Sequence, residues 1–192
     1  MIKFNVGSHN KRIEGYVNID ALNLENVDYI CDITQTPWNV LNKKVTKYID
    51  IHENLADEIL MIEVLEHISF RKTDEVLKEC YRVLKKGGKL IIQVPDCGEM
   101  MKAYCNGTIS EIIPHKPKNN EQVEKIREKT GYVVHPNRWL FAFLGAQKHE
   151  FDAHLNIFTK ERMEEYLENA GFSEIKFLDD PINWKIKVLA IK

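Results

Sequence analysis

The fold is decided by residues 58–96, which read EILMIEVLEHISFRKTDEVLKECYRVLKKGGKLIIQVPD. The first part of this stretch (58–62) is a nearly continuous apolar run, which is typical of a central strand covered on both faces. Residues 73–84 carry the apolar stripe of a helix that lies on a sheet, and Gly87–Gly88 is expected to end that helix. The run KLIIQV (89–94) predicts the next strand. This strand–helix–strand order favours a parallel sheet with right-handed crossovers.

Shorter runs on both sides continue the alternation of strands and helices. Strands are predicted over residues 2–6, 16–19 and 29–31 before this stretch, and over residues 174–178 and 185–191 after it. Thr159 can cap a helix that runs to Asn169 and ends at Gly171. The turn at Pro181 indicates that the last two strands form a hairpin.

These elements predict a single α/β domain over residues 1–192. The expected sheet is doubly wound, seven-stranded and mostly parallel, with an antiparallel last strand. Strand two follows strand one almost directly, so the first helix is expected to be short or missing. Residues 97–158 are too long for a simple link between a strand and a helix. We therefore expect a helical and loop insertion after strand five, which acts as a lid or as a substrate or partner surface.

Composition and charge argue against several classes of protein. The 192 residues include 27 basic and 29 acidic side chains, and this balance gives no reason to expect binding to nucleic acid. No apolar stretch is long enough to span a bilayer, and the first residues do not look like a signal peptide. The four cysteines form no CxxC pair, so neither a zinc site nor a redox dithiol is indicated. A cytoplasmic protein with reduced thiols is expected.

Four predicted strands end in residues that are suited to binding a ligand. In an open parallel sheet, ligands bind beyond the carboxyl ends of the strands, at the point where the strand order reverses. At these ends the chain carries Gly7, Asp20, Asp32 and Glu63. Purely structural interpretations are open too, because a glycine can form a tight turn and an aspartate can cap a helix or a loop.

Six segments in combination resemble one family. They are FNVGSH (4–9), GYVNID (15–20), VDYICDI (27–33), EVLEHI (63–68), LKECYRVLKKGGKLIIQVPD (77–96) and FTKERMEEYLENAGF (158–172). The sequence thereby resembles the class I (Rossmann-like) S-adenosylmethionine-dependent methyltransferases, most closely a small Methyltransf_11-like group. The resemblance covers most of the chain outside residues 97–150, and it implies S-adenosylmethionine as the cofactor.

The resemblance also implies which residues surround the cofactor. They are Val6, Gly7, Ser8, His9, Asp20, Ala21, Asp32, Ile33, Glu63, Val64 and His67. The glycine would let the backbone approach the methionine portion, because it has no Cβ. Asp20 would accept both ribose hydroxyls, and Asp32 with the backbone of Ile33 would meet the adenine amino group. Glu63 and Val64 would border the sulfonium.

Two histidines near the expected cofactor have uncertain roles. His67 lies one helical turn beyond Glu63, where it could serve the site or form an ordinary first-turn pair with Glu66. His9 stands where the family pattern has a second glycine. It could donate to the cofactor carboxylate.

A candidate catalytic base lies in the segment HEFDAHLNIFTKE (149–161). Many small-molecule and sugar methyltransferases of the broad class carry a similar D-x-H segment there, which Asp152 and His154 match. His154 would then be the base, with Asp152 orienting it or keeping it basic. Alternatively, the pair ties down a loop. His149, Asp152 and His154 lack the spacing of a compact ligand set, so no metal is expected.

The leading hypothesis is an enzyme that transfers a methyl group from S-adenosylmethionine to a small molecule or a glycan, most simply to a hydroxyl. A second hypothesis is a degenerate methyltransferase fold that serves as a non-catalytic binding or partner subunit, which His9 motivates. A nucleotide-dependent oxidoreductase is disfavoured, because no G-x-G-x-x-G opens a helix after strand one. The expected partners are a small-molecule or sugar acceptor and, in a homodimer, a second copy of the chain.

Overall fold

The computed structural model of the chain describes residues 1–109, 138–148, 150–180 and 184–192, and it centres on one mixed sheet of nine strands. The strands are β1 (Lys3–Val6), β2 (Val17–Asp20), β3 (Tyr29–Ile30), β4 (Asn39–Asn42), β5 (Lys47–Asp50), β6 (Ala56–Ile62), β7 (Leu84–Pro95), β8 (Glu174–Leu178) and β9 (Lys185–Ile191). Their order across the sheet is β5-β4-β3-β2-β1-β6-β7-β9-β8.

The centre of the sheet is parallel, and its strand order reverses beside β1. Strands β3, β2, β1, β6 and β7 pair in parallel, whereas β9 is antiparallel to both β7 and β8. The chain runs from β1 outward to β5 and then returns to place β6 on the other side of β1. This reversal is where an open α/β sheet binds its ligands. The predicted α/β class, the mostly parallel sheet and the antiparallel last strand are confirmed.

The prediction of seven strands is wrong, because the edge of the sheet carries an additional hairpin. Strands β4 and β5 pair with each other in antiparallel fashion, and β4 also pairs with β3. Each has only four residues, and every residue of β5 is exposed. A half-buried strand is recognised by alternation of apolar and polar residues, which a fully exposed strand does not need.

Four α-helices accompany the sheet in the described part of the chain. They are α1 (Thr73–Val83), α2 (Cys97–Cys105), α3 (Arg138–Leu144) and α4 (Lys160–Ala170). As predicted, Thr159 caps α4 by accepting the Arg162 N–H, and Gly171 ends it in the left-handed conformation. No helix lies between β1 and β2, which confirms the expected loss of the first helix. None of the described helices is both long and apolar enough to cross a membrane.

Helix α1 ends earlier than predicted. Gly87–Gly88 was expected to end it, but the helix stops at Val83 and the backbone of Leu84 is already extended. Leu84 is fully buried and pairs with Ala56 of the neighbouring strand. Strand pairing therefore begins before the glycines are reached, and Gly87 has a left-handed φ of +76° within β7.

The main core lies between one face of the sheet and the helices α1 and α4. Val6, Met61, Ile92 and Val188 occupy one register row across four strands, and all four are fully buried. The two helices pack against each other and share this core. A smaller second cluster joins α2 and α3 and includes Trp139 and Phe143 of α3. The insertion predicted over residues 97–158 is described only in part, since residues 110–137 and 149 lie outside the described ranges.

The edge hairpin is attached to α1 through one buried tryptophan. Trp38 is 1% exposed; its backbone N–H donates to Oε1 of Glu79 at 2.7 Å, and its indole N–H donates to the carbonyl of Ile33 at 3.0 Å. Arg82 makes two hydrogen bonds to the same glutamate and a third to the carbonyl of Ile51. The hairpin is therefore held by buried apolar area and by charge-assisted bonds.

We expect Trp38→Ala to lower the free energy of unfolding by about 3–5 kcal/mol, because it leaves a cavity under the hairpin and removes the indole hydrogen bond. The matched control is Tyr48→Ala, an aromatic side chain of the same hairpin that is 65% exposed, which should change stability by no more than about 0.5 kcal/mol. Urea denaturation measures both. Equal losses for the two variants would contradict the anchoring role of Trp38.

Candidate functional site

The carboxyl ends of β1 and β6 meet at a contact that admits only glycine. Gly7 directly follows β1 and has a φ of +68°, in the left-handed region. A Cβ at this position would lie 2.4 Å from Cγ2 of Val64, far inside van der Waals distance. The loop after β1 therefore rests on the residue that opens the turn after β6. Of the predicted cofactor residues, this contact brings Gly7 and Val64 together.

The next residue of interest, His9, occupies the left-handed region as well. Its φ is +44°, which costs a residue with a Cβ roughly 1 kcal/mol. Its backbone N–H donates to Oδ2 of Asp20 at 2.7 Å, and this bond offsets part of the strain. The conformation explains why the family pattern places glycine here. The His9 side chain is exposed.

Asp20 links the ends of three neighbouring strands. Its Oδ2 accepts the His9 N–H, its Oδ1 accepts the Leu22 N–H at 2.9 Å, and its carbonyl accepts the Cys31 N–H at 2.8 Å. Each carboxylate oxygen has two acceptor sites, so each retains one for a ligand hydroxyl. Ala21 follows it in an exposed position. The carboxylate is thus oriented in advance by the backbone on either side.

The remaining predicted residues around this loop differ in what they can offer. Ser8 is buried, and its hydroxyl has no hydrogen-bond partner within the described ranges. Val6 is fully buried in the core, so only its backbone could face a ligand. Asp32 is exposed and accepts both the N–H and the hydroxyl of Thr34. These bonds fit the structural interpretation, in which Asp32 stabilises its own loop. Ile33 is buried.

Glu63 is held by an ion pair rather than by the loop after β1. It has a left-handed φ of +57°, and its N–H donates to the carbonyl of Gln93 at 2.8 Å. Its Oε1 lies 3.2 Å from Nζ of Lys185, whose side chain is only 13% exposed. Glu63 therefore ties the end of β6 to β9, and its charge is already compensated.

Two histidines predicted separately lie against each other. The ring centroids of His67 and His154 are 4.8 Å apart, and the rings are nearly perpendicular. Nδ1 of His67 lies 3.1 Å from the carbonyl of Ala153, and Nδ1 of His154 lies 3.1 Å from the carbonyl of Ala142. Since a carbonyl only accepts, each Nδ1 carries the proton and each Nε2 carries the lone pair. Burial, followed by the neighbouring His67, lowers the pKa of His154 to about 4.

A buried glutamate lies beside the histidine pair. Glu66 is 2% exposed, and neither carboxylate oxygen has a hydrogen-bond partner in the described part of the chain. Burial, and then the charge of Glu63, holds its pKa well above the usual range. Its backbone carbonyl accepts the N–H groups of Leu155 and Asn156 at 2.7 and 3.1 Å. These bonds dock the segment that carries His154 onto the turn that carries Glu66 and His67.

The catalytic pair expected from the sequence is arranged differently. Nδ1 of His154 contacts a backbone carbonyl and not Asp152. The charge of Asp152 raises the pKa of His154, but it is the smallest of the influences on that pKa. The sequence indicated Glu66 only as an ordinary first-turn partner of His67, although EVLEH places the two side by side. His149 lies outside the described residues.

Part of the sequence matches a known protein family. The sequence model of the family described as "methyltransferase domain" matches residues 17–92. No curated protein matches the chain.

Several solved structures share the fold. The structure of a SAM-dependent methyltransferase from Archaeoglobus fulgidus is 13% identical with a TM-score of 0.52, covering 99% of this chain and 85% of that one. The 1,6-didemethyltoxoflavin-N1-methyltransferase from Burkholderia thailandensis, with bound 1,6-didemethyltoxoflavin and S-adenosylhomocysteine, is 12% identical with a TM-score of 0.56, covering 100% and 70%. Human N-acetylserotonin methyltransferase in complex with SAM is 12% identical with a TM-score of 0.51, covering 100% and 47%.

The chain spans about half the length of some proteins that it matches: 47% of the human enzyme, and 40% and 52% of two others. Identities in this range show the fold alone. The family match covers the region from β2 to β7. The resemblance indicated by the sequence is therefore confirmed: residues 17–92 match the methyltransferase-domain family, and the chain has the fold of the class I, Rossmann-like methyltransferases.

Proposed function

We propose that the chain binds S-adenosylmethionine at the carboxyl ends of β1, β2 and β6, and transfers its methyl group to a hydroxyl of a small molecule or a glycan. The observation that carries the proposal is the junction of Gly7 with Val64, with the preoriented Asp20 beside it. The Burkholderia relative holds S-adenosylhomocysteine and the human relative holds SAM, which supports the same cofactor here.

Within this proposal, the loop after β1 meets the amino-acid end of the cofactor. The glycine lets the backbone approach, and the buried Ser8 hydroxyl supplies a hydrogen-bonding group that the protein itself leaves unused in the described ranges. Asp20 accepts the two ribose hydroxyls, one on each carboxylate oxygen. Val64 borders the sulfonium from the other side of the junction. Asp32 is left for the adenine edge, with the oxygen that Thr34 does not occupy.

The reaction is an in-line displacement in which the cofactor supplies the leaving group. The acceptor oxygen forms a bond to the methyl carbon, the carbon–sulfur bond breaks, and its electron pair stays on sulfur to give a neutral thioether. The hydroxyl proton must leave. Nε2 of His154 has the lone pair to accept it, but a pKa of about 4 makes this histidine a weak base at neutral pH.

A degenerate, non-catalytic relative is the alternative, and His9 is the observation that favours it. The residue takes a left-handed conformation at the position of the family's second glycine. Its side chain is exposed, however, and its N–H supports Asp20 rather than blocking it. The junction and the carboxylate are thus both preserved, which favours the enzyme.

We expect Gly7→Ala to abolish measurable cofactor binding, because the added Cβ would push the loop away from Val64. Gly15→Ala is a matched control, since Gly15 has a similar φ of +81° and nothing lies within 4 Å of a Cβ built there. Both variants carry the conformational penalty of about 1 kcal/mol, but only the first carries the clash. Calorimetric titration with S-adenosylhomocysteine separates them. Equal affinities for the two variants would contradict a cofactor role for the junction.

We expect Asp20→Asn to weaken cofactor binding by about 1.5–3 kcal/mol, the contribution of hydrogen bonds to a charged group. Asp28→Asn serves as the control, because Asp28 likewise accepts a backbone N–H, from Asn18, but lies before β3 rather than after a strand end. Its substitution should lower stability and leave cofactor affinity unchanged. Calorimetry and urea denaturation on both variants provide the test, and an unaltered affinity in Asp20→Asn would count against the ribose assignment.

Activity is tested by transfer of a labelled methyl group from S-adenosylmethionine to sugar nucleotides, oligosaccharides and small phenols. The proposal predicts label in at least one hydroxyl-bearing class, and loss of that label in Asp20→Asn at low cofactor concentration. If the wild-type chain does not bind the cofactor even at millimolar concentration, the non-catalytic alternative is correct instead.

A further inference from the structure

Three side chains of the types that bind transition metals converge beside the proposed cofactor site. Ligand atoms of Glu66, His67 and His154 all lie within 4.8 Å of one another. Glu66 is buried, and the two histidines are partly exposed. The turn after β6 supplies two of the residues, and the segment before α4 supplies the third.

Both histidines have the second contact that metal-binding histidines require. In most metal sites, the ring nitrogen that does not bind the metal donates to a carboxylate or a backbone carbonyl, which sets the tautomer and the ring orientation. Nδ1 of His67 makes this bond to Ala153, and Nδ1 of His154 makes it to Ala142, both at 3.1 Å. The lone pair of each ring is thereby placed on Nε2, the nitrogen that a metal would take.

The burial of the Glu66 carboxylate is compensated only in part, and the charge of Lys185 supplies some of that compensation. It is 2% exposed, and both of its oxygens lie without a hydrogen-bond donor in the described ranges. A buried carboxylate in this state is costly unless a cation or a donor satisfies it. Lys185 is already paired with Glu63 at 3.2 Å. A dication held by the two imidazoles would supply the missing positive charge at the right place.

We propose that Glu66, His67 and His154 form a binding site for a first-row divalent transition-metal ion, of which Zn²⁺ is the representative. Two imidazole nitrogens and one carboxylate oxygen are a ligand set for such ions, whereas Mg²⁺ and Ca²⁺ prefer oxygen alone. Three protein ligands leave a coordination position open for a water or a substrate oxygen. The sequence did not indicate a metal because His149, Asp152 and His154 alone lack the spacing of a ligand set, and Glu66 and His67 lie far from them in the chain.

The role of the ion, unlike its binding, rests on the proposed methyl transfer. A hydroxyl bound at the open position becomes more acidic, so it can release its proton to solvent and attack as an alkoxide. This removes the need for His154 to act as a base. The negative charge of the alkoxide is neutralised by the sulfonium methyl that it accepts, and the products are an ether and a thioether.

The test of the site is metal binding in the absence of cofactor and acceptor, which makes it independent of activity. The full chain, stripped with a chelator, is titrated with Zn²⁺ by calorimetry and with Co²⁺ by visible absorption. We expect one ion per chain, and Co²⁺ bands of the intensity that four or five ligands give. Glu66→Gln and His154→Gln should each weaken Zn²⁺ binding by about 100-fold, the upper end of the loss seen even for outer-shell partners.

His52→Gln is the matched control, because His52 is an exposed histidine outside the cluster, and it should bind Zn²⁺ as the wild type does. His67→Gln adds a third variant at a partly exposed position, should the buried Glu66→Gln fail to fold by circular dichroism. Wild-type affinity in His154→Gln and His67→Gln, or tighter binding of Mg²⁺ than of Zn²⁺, would overturn the assignment. Binding without methyl transfer would leave the metal site intact and refute only its role.

Discussion

The close contact between Gly7 and Val64 is the constraint on which the rest of the site depends. It joins the carboxyl ends of two neighbouring parallel strands at the point where the strand order reverses. Val64 is also the residue that opens the turn bearing Glu66 and His67. One contact thus sets the position of the proposed cofactor loop relative to the histidine cluster. Any side chain larger than hydrogen at residue 7 would separate the two halves of the site.

The two halves have different electrostatic characters, and this suits a transfer between them. On one side, Asp20 is held by backbone N–H groups and offers acceptors to neutral hydroxyls. On the other side, Glu66 is buried beside two imidazoles, where a cation would be stabilised. Glu63 acts electrostatically on Glu66, and Lys185 compensates the charge of Glu63. A cationic methyl donor and a metal-bound oxygen could therefore approach each other while the carboxylates of Glu63 and Glu66 stay compensated.

The sequence predicted the elements whose signals are local. The apolar run of β6, the stripe of α1 and the capping Thr159 each lie within a few turns of chain, and the structure has all of them. It did not predict the hairpin of β4 and β5, because β5 is fully exposed and β4 buries only Val40, so neither strand alternates between apolar and polar residues. Nor did it predict that α1 ends and β7 begins at Leu84, since the pairing of Leu84 with Ala56 is a long-range contact.

The site shows the same division between local and long-range information. Asp20 and Gly7 could be predicted because each follows a strand whose neighbours could be counted. The cluster of Glu66, His67 and His154 could not, because His154 lies in a segment almost ninety positions later in the chain. Hydrogen bonds to the Glu66 carbonyl hold that segment beside the turn after β6. The strained backbone of His9 could not be predicted from the sequence either, although the family pattern has a glycine at this position.

The central claim is tested most directly by a crystal structure of the chain with S-adenosylhomocysteine. The account predicts ribose hydroxyls within hydrogen-bond distance of both carboxylate oxygens of Asp20, and the amino-acid end lying over Gly7 with Val64 beside the sulfur. A ligand bound elsewhere on the sheet, or one that leaves Asp20 and the junction untouched, would contradict it.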